Sequence, residues 1–315
     1  IEANDWVSGY ITITYSDAAD GQANPINNSG YELSQGFMTV GNLDSSAFYS
    51  TIGQMYVPFG SYSSFMVTSP LTKDIGRTKA RALLVGYNPQ REGFEPFASA
   101  YAFQGSTNVA NSDSSGQIKN YGLNGGVQFA KDQYSFSLGA SYINNIAESE
   151  GMQGNGDSSQ HFNGFAEQAS YEDIGTRVPG ADVYGTFGYG DWTAIAEWTG
   201  ATSQFDEDNL SFNGDGAQPK AAAFEVGYAF NAWRPSSVAL GYNQSWEALA
   251  LNLPEKAYVG TYSVSVWERT LFSLQYIRNS GYDNGTTGRG QGEKANYDQL
   301  GEQYSEVMLR ADVFF

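Results

Sequence analysis

The sequence predicts an all-β fold: a transmembrane antiparallel up-and-down β-barrel of about 14 strands, with 16 allowed by boundary slippage. Three observations predict it: an alternating last strand, a regular exchange of long and short connections, and a composition rich in Gly and aromatic residues. The last stretch reads E-Q-Y-S-E-V-M-L-R-A-D-V-F-F, with Val307, Leu309, Ala311, Val313 and Phe315 at every second position. Tyr304, Glu306, Met308, Arg310, Asp312 and Phe314 fall between them. Side chains alternate across a strand, so one face is apolar and the other largely polar and charged.

The chain has 315 residues, no Cys, 37 Gly, 22 Tyr, 19 Phe, 6 Trp and a formal charge of −18. No Pro/Ser linker or compositional break divides it, so a single barrel domain over 1–315 is expected. No run of about 18 apolar residues exists, which excludes a transmembrane helix. Gly eases strand bending, and amphipathic aromatics sit at the lipid headgroup boundary. The absence of Cys excludes disulfides and thiolate metal sites. The acidic balance argues against nucleic acid as a partner, because phosphate binding needs Lys/Arg clusters. Ile1 is no initiator and nothing like a signal peptide follows it, so a mature or trimmed chain is expected.

Strands of about ten residues, the length of a tilted membrane-crossing strand, fall near 6–15, 31–41, 47–57, 77–87, 95–105, 119–130 and 133–144. Others fall near 180–189, 191–202, 220–230, 236–246, 257–267, 270–279 and 302–315. Long segments (16–30, 58–76, 106–118, 145–179, 203–219, 247–256, 280–301) alternate with tight turns (42–46, 88–94, 131–132, 190, 231–235, 268–269). Long loops then share one rim and turns the other, with both termini on the turn side. A barrel in the bacterial outer membrane, with extracellular loops and periplasmic turns, has this asymmetry; a soluble sandwich has no reason for it.

Face chemistry agrees. Tyr134, Phe136, Leu138, Ala140 and Tyr142 oppose Ser135, Ser137, Gly139 and Ser141. Trp192, Ala194, Ala196 and Trp198 oppose Thr193, Ile195, Glu197 and Thr199, and Phe224, Val226, Tyr228 and Phe230 oppose Ala223, Glu225, Gly227 and Ala229. The competing reading is a soluble barrel with a dry interior, which inward Ser, Gly and Glu disfavour because buried unpaired polar groups are costly.

Chemistry-bearing residues are few. The single His, His161, lies in the longest loop without a nucleophile motif, so multi-His metal centres are excluded and no enzyme activity is expected. Arg77, Lys79 and Arg81 share one face; turned to a lumen they would form a basic ladder that concentrates anions. Leu83, Val85 and Tyr87 continue the same parity, as an outward face would, and a bulge or snorkelling would reconcile the two. Arg310, between Glu306 and Asp312, is placed inward by the alternation. Glu197 and Glu225 are inward by parity, as members of a salt-bridge network or as solute contacts. Loop carboxylates (Asp17, Asp20, Asp113, Glu148, Glu150, Asp157, Asp206, Glu207, Asp208, Asp215, Asp283) are read as solvated, with loop-bound Ca2+ the alternative and no other cofactor expected.

Pro58 lacks a ladder N–H and must end its strand, and Gly60 permits a sharp turn. Tyr56, Phe59, Tyr62 and Phe65 would pack the following loop onto the mouth, so 58–76, with or without 145–179, is expected to fold inward and narrow a pore.

The terminal aromatic resembles the last strand of bacterial outer-membrane barrels. The run F-Y-S-T-I-G-Q-M-Y-V-P-F-G, then S-P-L-T and G-R-T-K-A-R-A-L-L-V-G-Y, resembles the LbtU-type siderophore porins. Phosphate-selective porins share the Pro-Phe-Gly strand exit. The resemblance implies an outer-membrane channel for ferric siderophores without a plug domain, with lipid and lipopolysaccharide around it and a homotrimer allowed. Members of that type carry a periplasmic N-terminal extension with coiled-coil character, which is not seen in this chain. Two other readings stay open: a general-diffusion or anion-selective porin, and a structural or adhesive barrel with a blocked lumen.

Overall fold

The computed structural model describes residues 1–17, 29–89, 93–107, 109–110, 118–153, 164–165, 174–290, 293–294 and 300–314. His161, Asp20, Asp113, Asp157 and Phe315 lie outside them. Where small or polar residues alternate with apolar ones the backbone extends, and each such stretch pairs with its neighbour in sequence. The strands are β1 (Glu2–Asn4), β2 (Val7–Asp17), β3 (Ser29–Val40), β4 (Phe48–Tyr56), β5 (Lys79–Tyr87), β6 (Gly93–Phe103), β7 (Asn120–Lys131), β8 (Tyr134–Ile143), β9 (Gly180–Tyr189) and β10 (Trp192–Ala201). They continue with β11 (Leu210–Phe212), β12 (Asp215–Gly216), β13 (Lys220–Asn231), β14 (Pro235–Trp246), β15 (Lys256–Val264), β16 (Thr270–Ser280), β17 (Gly288–Gly290), β18 (Glu293–Lys294) and β19 (Gln303–Val313).

A 15-stranded antiparallel sheet runs in the order β1 to β10, β13 to β16, then β19. The skipped short strands form a separate sheet, β12-β11-β17-β18, built from two loops. Among the described residues no pairing joins β19 to β1 or β2, so the expected closure of the barrel is not met in this sheet. At that edge β1 pairs Glu2 and Asn4 with Ser8 and Val7, at the start of β2.

One face of the sheet is apolar and bare: Leu309 is 82% exposed, Leu240 73% and Val307 68%. A water-soluble surface does not carry such a continuous apolar band, whereas acyl chains would cover it. Cross-strand aromatic pairs bound the band. At the turn side lie Phe48–Tyr87, Phe94–Phe129, Tyr134–Tyr189 and Trp192–Tyr228, with ring centroids 5.1, 4.9, 4.9 and 4.6 Å apart. At the loop side lie Tyr15–Tyr31 and Tyr242–Tyr258, both 5.1 Å apart. Each such pair stabilises its two strands by about 0.2–1 kcal/mol.

The buried apolar core does not lie between two sheets. It sits under the loop-side mouth, where Phe59, Ile75, Phe103, Ile146, Met152 and Leu210 pack together.

Candidate functional site

The segment from β4 to β5 turns back into the sheet's concave side. Val57 N–H donates to the Thr78 carbonyl at 3.0 Å and closes its base. Pro58 ends the strand, Phe59 is 1% exposed, and Gly60 takes φ 80°, a left-handed value that costs Gly little. Tyr62 takes φ 52°, which a residue with a Cβ adopts only when its surroundings hold it there. After Pro70 comes the short helix α1 (Leu71–Gly76), with Leu71, Thr72, Ile75 and Gly76 buried.

This strap is held chiefly through its main chain, by inward side chains of five strands. Gly60 N–H donates to Ser141 Oγ at 3.1 Å. Ser61 and Tyr62 N–H donate to Glu197 Oε1 at 2.7 and 3.0 Å, and the Thr72 hydroxyl donates to Glu197 Oε2 at 3.0 Å. The Ser64 hydroxyl and Phe65 N–H reach the two oxygens of Glu225, both at 2.7 Å. Val67 N–H donates to Gln275 Oε1 at 2.6 Å, and Leu71 N–H to Asn243 Oδ1 at 3.2 Å. The wall has room for it because it carries Gly where the strap is bulky. A Cβ on Gly227 would stand 2.9 Å from the Phe65 ring, and one on Gly241 2.8 Å from Met66 Cε.

Glu197 and Glu225 are therefore inward, 5% and 1% exposed, but they form no ion pair among the described residues. The expected salt-bridge network is replaced by backbone capture: both carboxylates receive strap donors. Sequence reasoning missed Ser141, Asn243 and Gln275 as further anchors. Their only signal was polarity at inward strand positions.

Lys79 and Arg81 share a face of β5 with Leu83 and Val85, 48% and 53% exposed, which place that face outside, whereas Arg77 precedes β5 at the end of α1. The basic ladder expected in a lumen is thus not formed; the parity set by the apolar residues fixes the basic ones as well. Arg77 pairs with Glu150 at 2.5 Å, its guanidinium 4.6 Å over the Tyr56 ring. Lys79 pairs with Glu32 at 2.9 Å and with Glu150 at 3.7 Å, and Arg81 is exposed. On β19 the pairing register sets Arg310 opposite Ser273 and Glu306 opposite Ile277, both buried, which turns these two residues inward. Asp312 follows by the same alternation and pairs with Arg310 at 2.8 Å.

A cavity of about 650 Å³ opens on the loop side of the strap, lined by Lys73, Asp74, Arg77, Glu150, Gln153 and Asn252. A second, of about 940 Å³, lies near the turn-side rim, lined by Glu95, Gln128, Ser135, Ser137 and Thr186 among others. Burial pushes the Asp74 carboxyl up to about 6, against the pull of Lys73 and Arg77. Burial also lowers the Lys73 ammonium, with the Arg77 charge acting the same way. Lys73 and Asp74 were not singled out in the sequence, because a six-residue helix inside a loop has no periodicity to read.

The loops are tied by Glu148, whose carboxylate receives Ser106 N–H at 2.7 Å and the Asn120 and Asn145 amides at 3.1 and 3.3 Å. Burial raises this carboxyl, and the backbone donors of Ser106 and Thr107 oppose it. Among the described residues, no group of three or more His, Asp or Glu side chains could hold a metal ion.

No family model matches the chain. A UPF0422 protein of Legionella pneumophila (strain Philadelphia 1) is 39% identical over 282 residues, 89% of this chain and 52% of that protein. A UPF0422 protein of Coxiella burnetii is 35% identical, covering 100% of this chain and 64% of that protein. The chain thus spans about half the length of its Legionella relatives. Among solved structures, an anion-selective porin from Comamonas acidovorans superposes with a TM-score of 0.55 at 16% identity, over 90% of this chain and 79% of that one. The channel DcaP of Acinetobacter baumannii gives 0.52 at 14%, over 98% and 80%. OmpT of Vibrio cholerae, in its trimer form, gives 0.51 at 11%, over 99% and 88%. The likeness is one of fold: an antiparallel up-and-down sheet of 15 strands that superposes on outer-membrane porins.

Proposed function

We propose that this chain is an outer-membrane channel through which polar solutes pass passively, with residues 57–78 as its constriction. The observation that carries the reading is the strap: a loop drawn inside a sheet whose outer face is bare and apolar, and fixed there by Glu197, Glu225, Gln275 and Asn243. The porin-like fold supports a place in the outer membrane, with loops outside, turns in the periplasm, and lipid and lipopolysaccharide around the barrel. Closure of the sheet by β19 belongs to this proposal. A homotrimer is supported by the trimeric Vibrio neighbour. Arg310, Glu306 and Asp312 line the lumen in this reading, and Pro58, Phe59, Gly60, Tyr62 and Phe65 build the narrowing.

The finer proposal is that the solute is a ferric siderophore. Its support is the resemblance noted at Pro58–Phe59–Gly60 and 69–72, which falls on the strap itself. Conductance in planar bilayers tests the coarse reading: deletion of 61–75 is expected to enlarge the single-channel step, and an unchanged step overturns the constriction. Uptake of ferric siderophore by a strain lacking the protein, set beside ion selectivity, separates the siderophore reading from a general or anion-selective pore. The apolar core under the mouth favours one second reading, an adhesive barrel with a filled lumen. Negligible current with and without the strap, together with loop-dependent binding of a partner, would establish it.

A further inference from the structure

Charge on the long strands is sorted by face. The carboxylates Glu95, Asp182, Glu197, Glu225, Glu306 and Asp312 lie on the inner face, alternating with exposed apolar neighbours. Arg310 shares that face, paired with Asp312, whereas three other strand cations take the outer side. Lys220 opens β13 opposite Trp246, which is 39% exposed, and Lys256 opens β15 two residues before Tyr258, which is 54% exposed. Arg278 stands across from Tyr258 and donates to the Gln303 side chain. All three occupy the outer face at the loop-side ends of β13, β15 and β16: Arg278 in the row of the Tyr242–Tyr258 aromatic pair, with Lys256 and Lys220 nearer the loops.

In a chain of net charge −18 such a concentration needs a cause. Lys256 pairs with Glu255 at 2.8 Å, and Glu247 receives Gln218 N–H at 2.6 Å. Neither Lys220 nor Arg278 has a carboxylate partner among the described residues.

We propose that this patch docks the headgroup of a multiply phosphorylated glycolipid in the leaflet at the loop side; the inference rests on the membrane reading above. Lys and Arg form charge-assisted hydrogen bonds to phosphate. From β13 to β16 the cations spread over three strand spacings, about 14 Å, with Lys220 offset from Arg278 by a further four residues along the strands, about 13 Å, so a headgroup that meets all of them carries more than one phosphate. Gln244, Gln303 and the Trp246 indole offer hydrogen bonds to sugar hydroxyls at the same height. Below them Phe224, Leu240 and Leu274, 52%, 73% and 47% exposed, give acyl chains an apolar face.

The test uses the whole chain in phosphatidylethanolamine vesicles carrying bis-phosphorylated lipid A, monophosphorylated lipid A or phosphatidylglycerol. Flotation reads insertion, and native mass spectrometry of the detergent-extracted protein reads bound lipid. The wild type is expected to prefer the bis-phosphorylated form. The K220Q/K256Q/R278Q variant should bind it roughly a hundredfold more weakly, at about fivefold per cation. R289Q, in a loop and paired with Asp208, should match the wild type. Equal binding by the triple variant, or equal retention of phosphatidylglycerol, overturns the inference while flotation stands. Failure to float with any vesicle overturns the membrane reading itself, and this inference with it.

Discussion

Glu225 shows most directly what one side chain does in this molecule. It is buried, and its oxygens take one hydroxyl and one backbone N–H from the strap. Glu225→Ala strands both donors, at about 1–3 kcal/mol for a buried group left unpaired. The expected result is a noisier, larger channel step and protease cleavage within 61–69. Glu225→Gln, which keeps an acceptor, should lie between; a wild-type trace from both variants would remove Glu225 as an anchor. Asp74 gives a pH dependence. Its carboxyl is pushed up to about 6 by burial, so the neutral form is the one the fold favours. The associated stability is complete below the ordinary carboxylate range and is lost as pH rises through about 6. Acidification through that value removes the negative charge beside Lys73. Anion preference in a salt gradient should therefore rise on going from pH 7 to pH 5, and Asp74→Asn should hold the high-anion value at both. The inward direction of Glu197 and Glu225 was legible from alternation. What they hold was not, because Ser61 and Phe65 are 136 and 160 residues away along the chain.

Among the elements, the long strands were the most legible, since lipid on one side and polar groups on the other impose a period of two over about ten residues. The expected 180–189 and 270–279 match β9 and β16 almost residue for residue. β1, β11, β12, β17, β18 and α1 were not foreseen; each is too short for a pattern to rise above chance. Lys79 and Arg81 could be read either way in the sequence, as a basic ladder or by the outward parity of Leu83 and Val85, and in β5 they follow the parity. The strap's fit to the wall makes its own prediction. Gly227→Val keeps strand propensity but puts side-chain atoms where the Phe65 ring lies, which is already 2.9 Å from a Cβ at that position. Displacement of the strap and a larger conductance step are expected, and unchanged conductance would show that the ring yields without moving the backbone.

For the whole molecule, the bare apolar band sets the solvent. With Leu309, Leu240 and Val307 more than two-thirds exposed, the chain should be monodisperse only in detergent or lipid. Size-exclusion chromatography in plain buffer checks this, and a sharp monomer peak there would be incompatible with the outer face described. The aromatic pairs at both rims fix the height at which the band sits.

The strap is gripped largely by its peptide groups, and only a few of its side chains touch the anchors. In the proposed channel, substitutions at Ser61, Ser63 or Ser69 are thus expected to alter what the constriction admits while the strands keep the same sequence. A lineage could retune its sieve quickly on an unchanging frame, much as a lock is rekeyed without replacing the door.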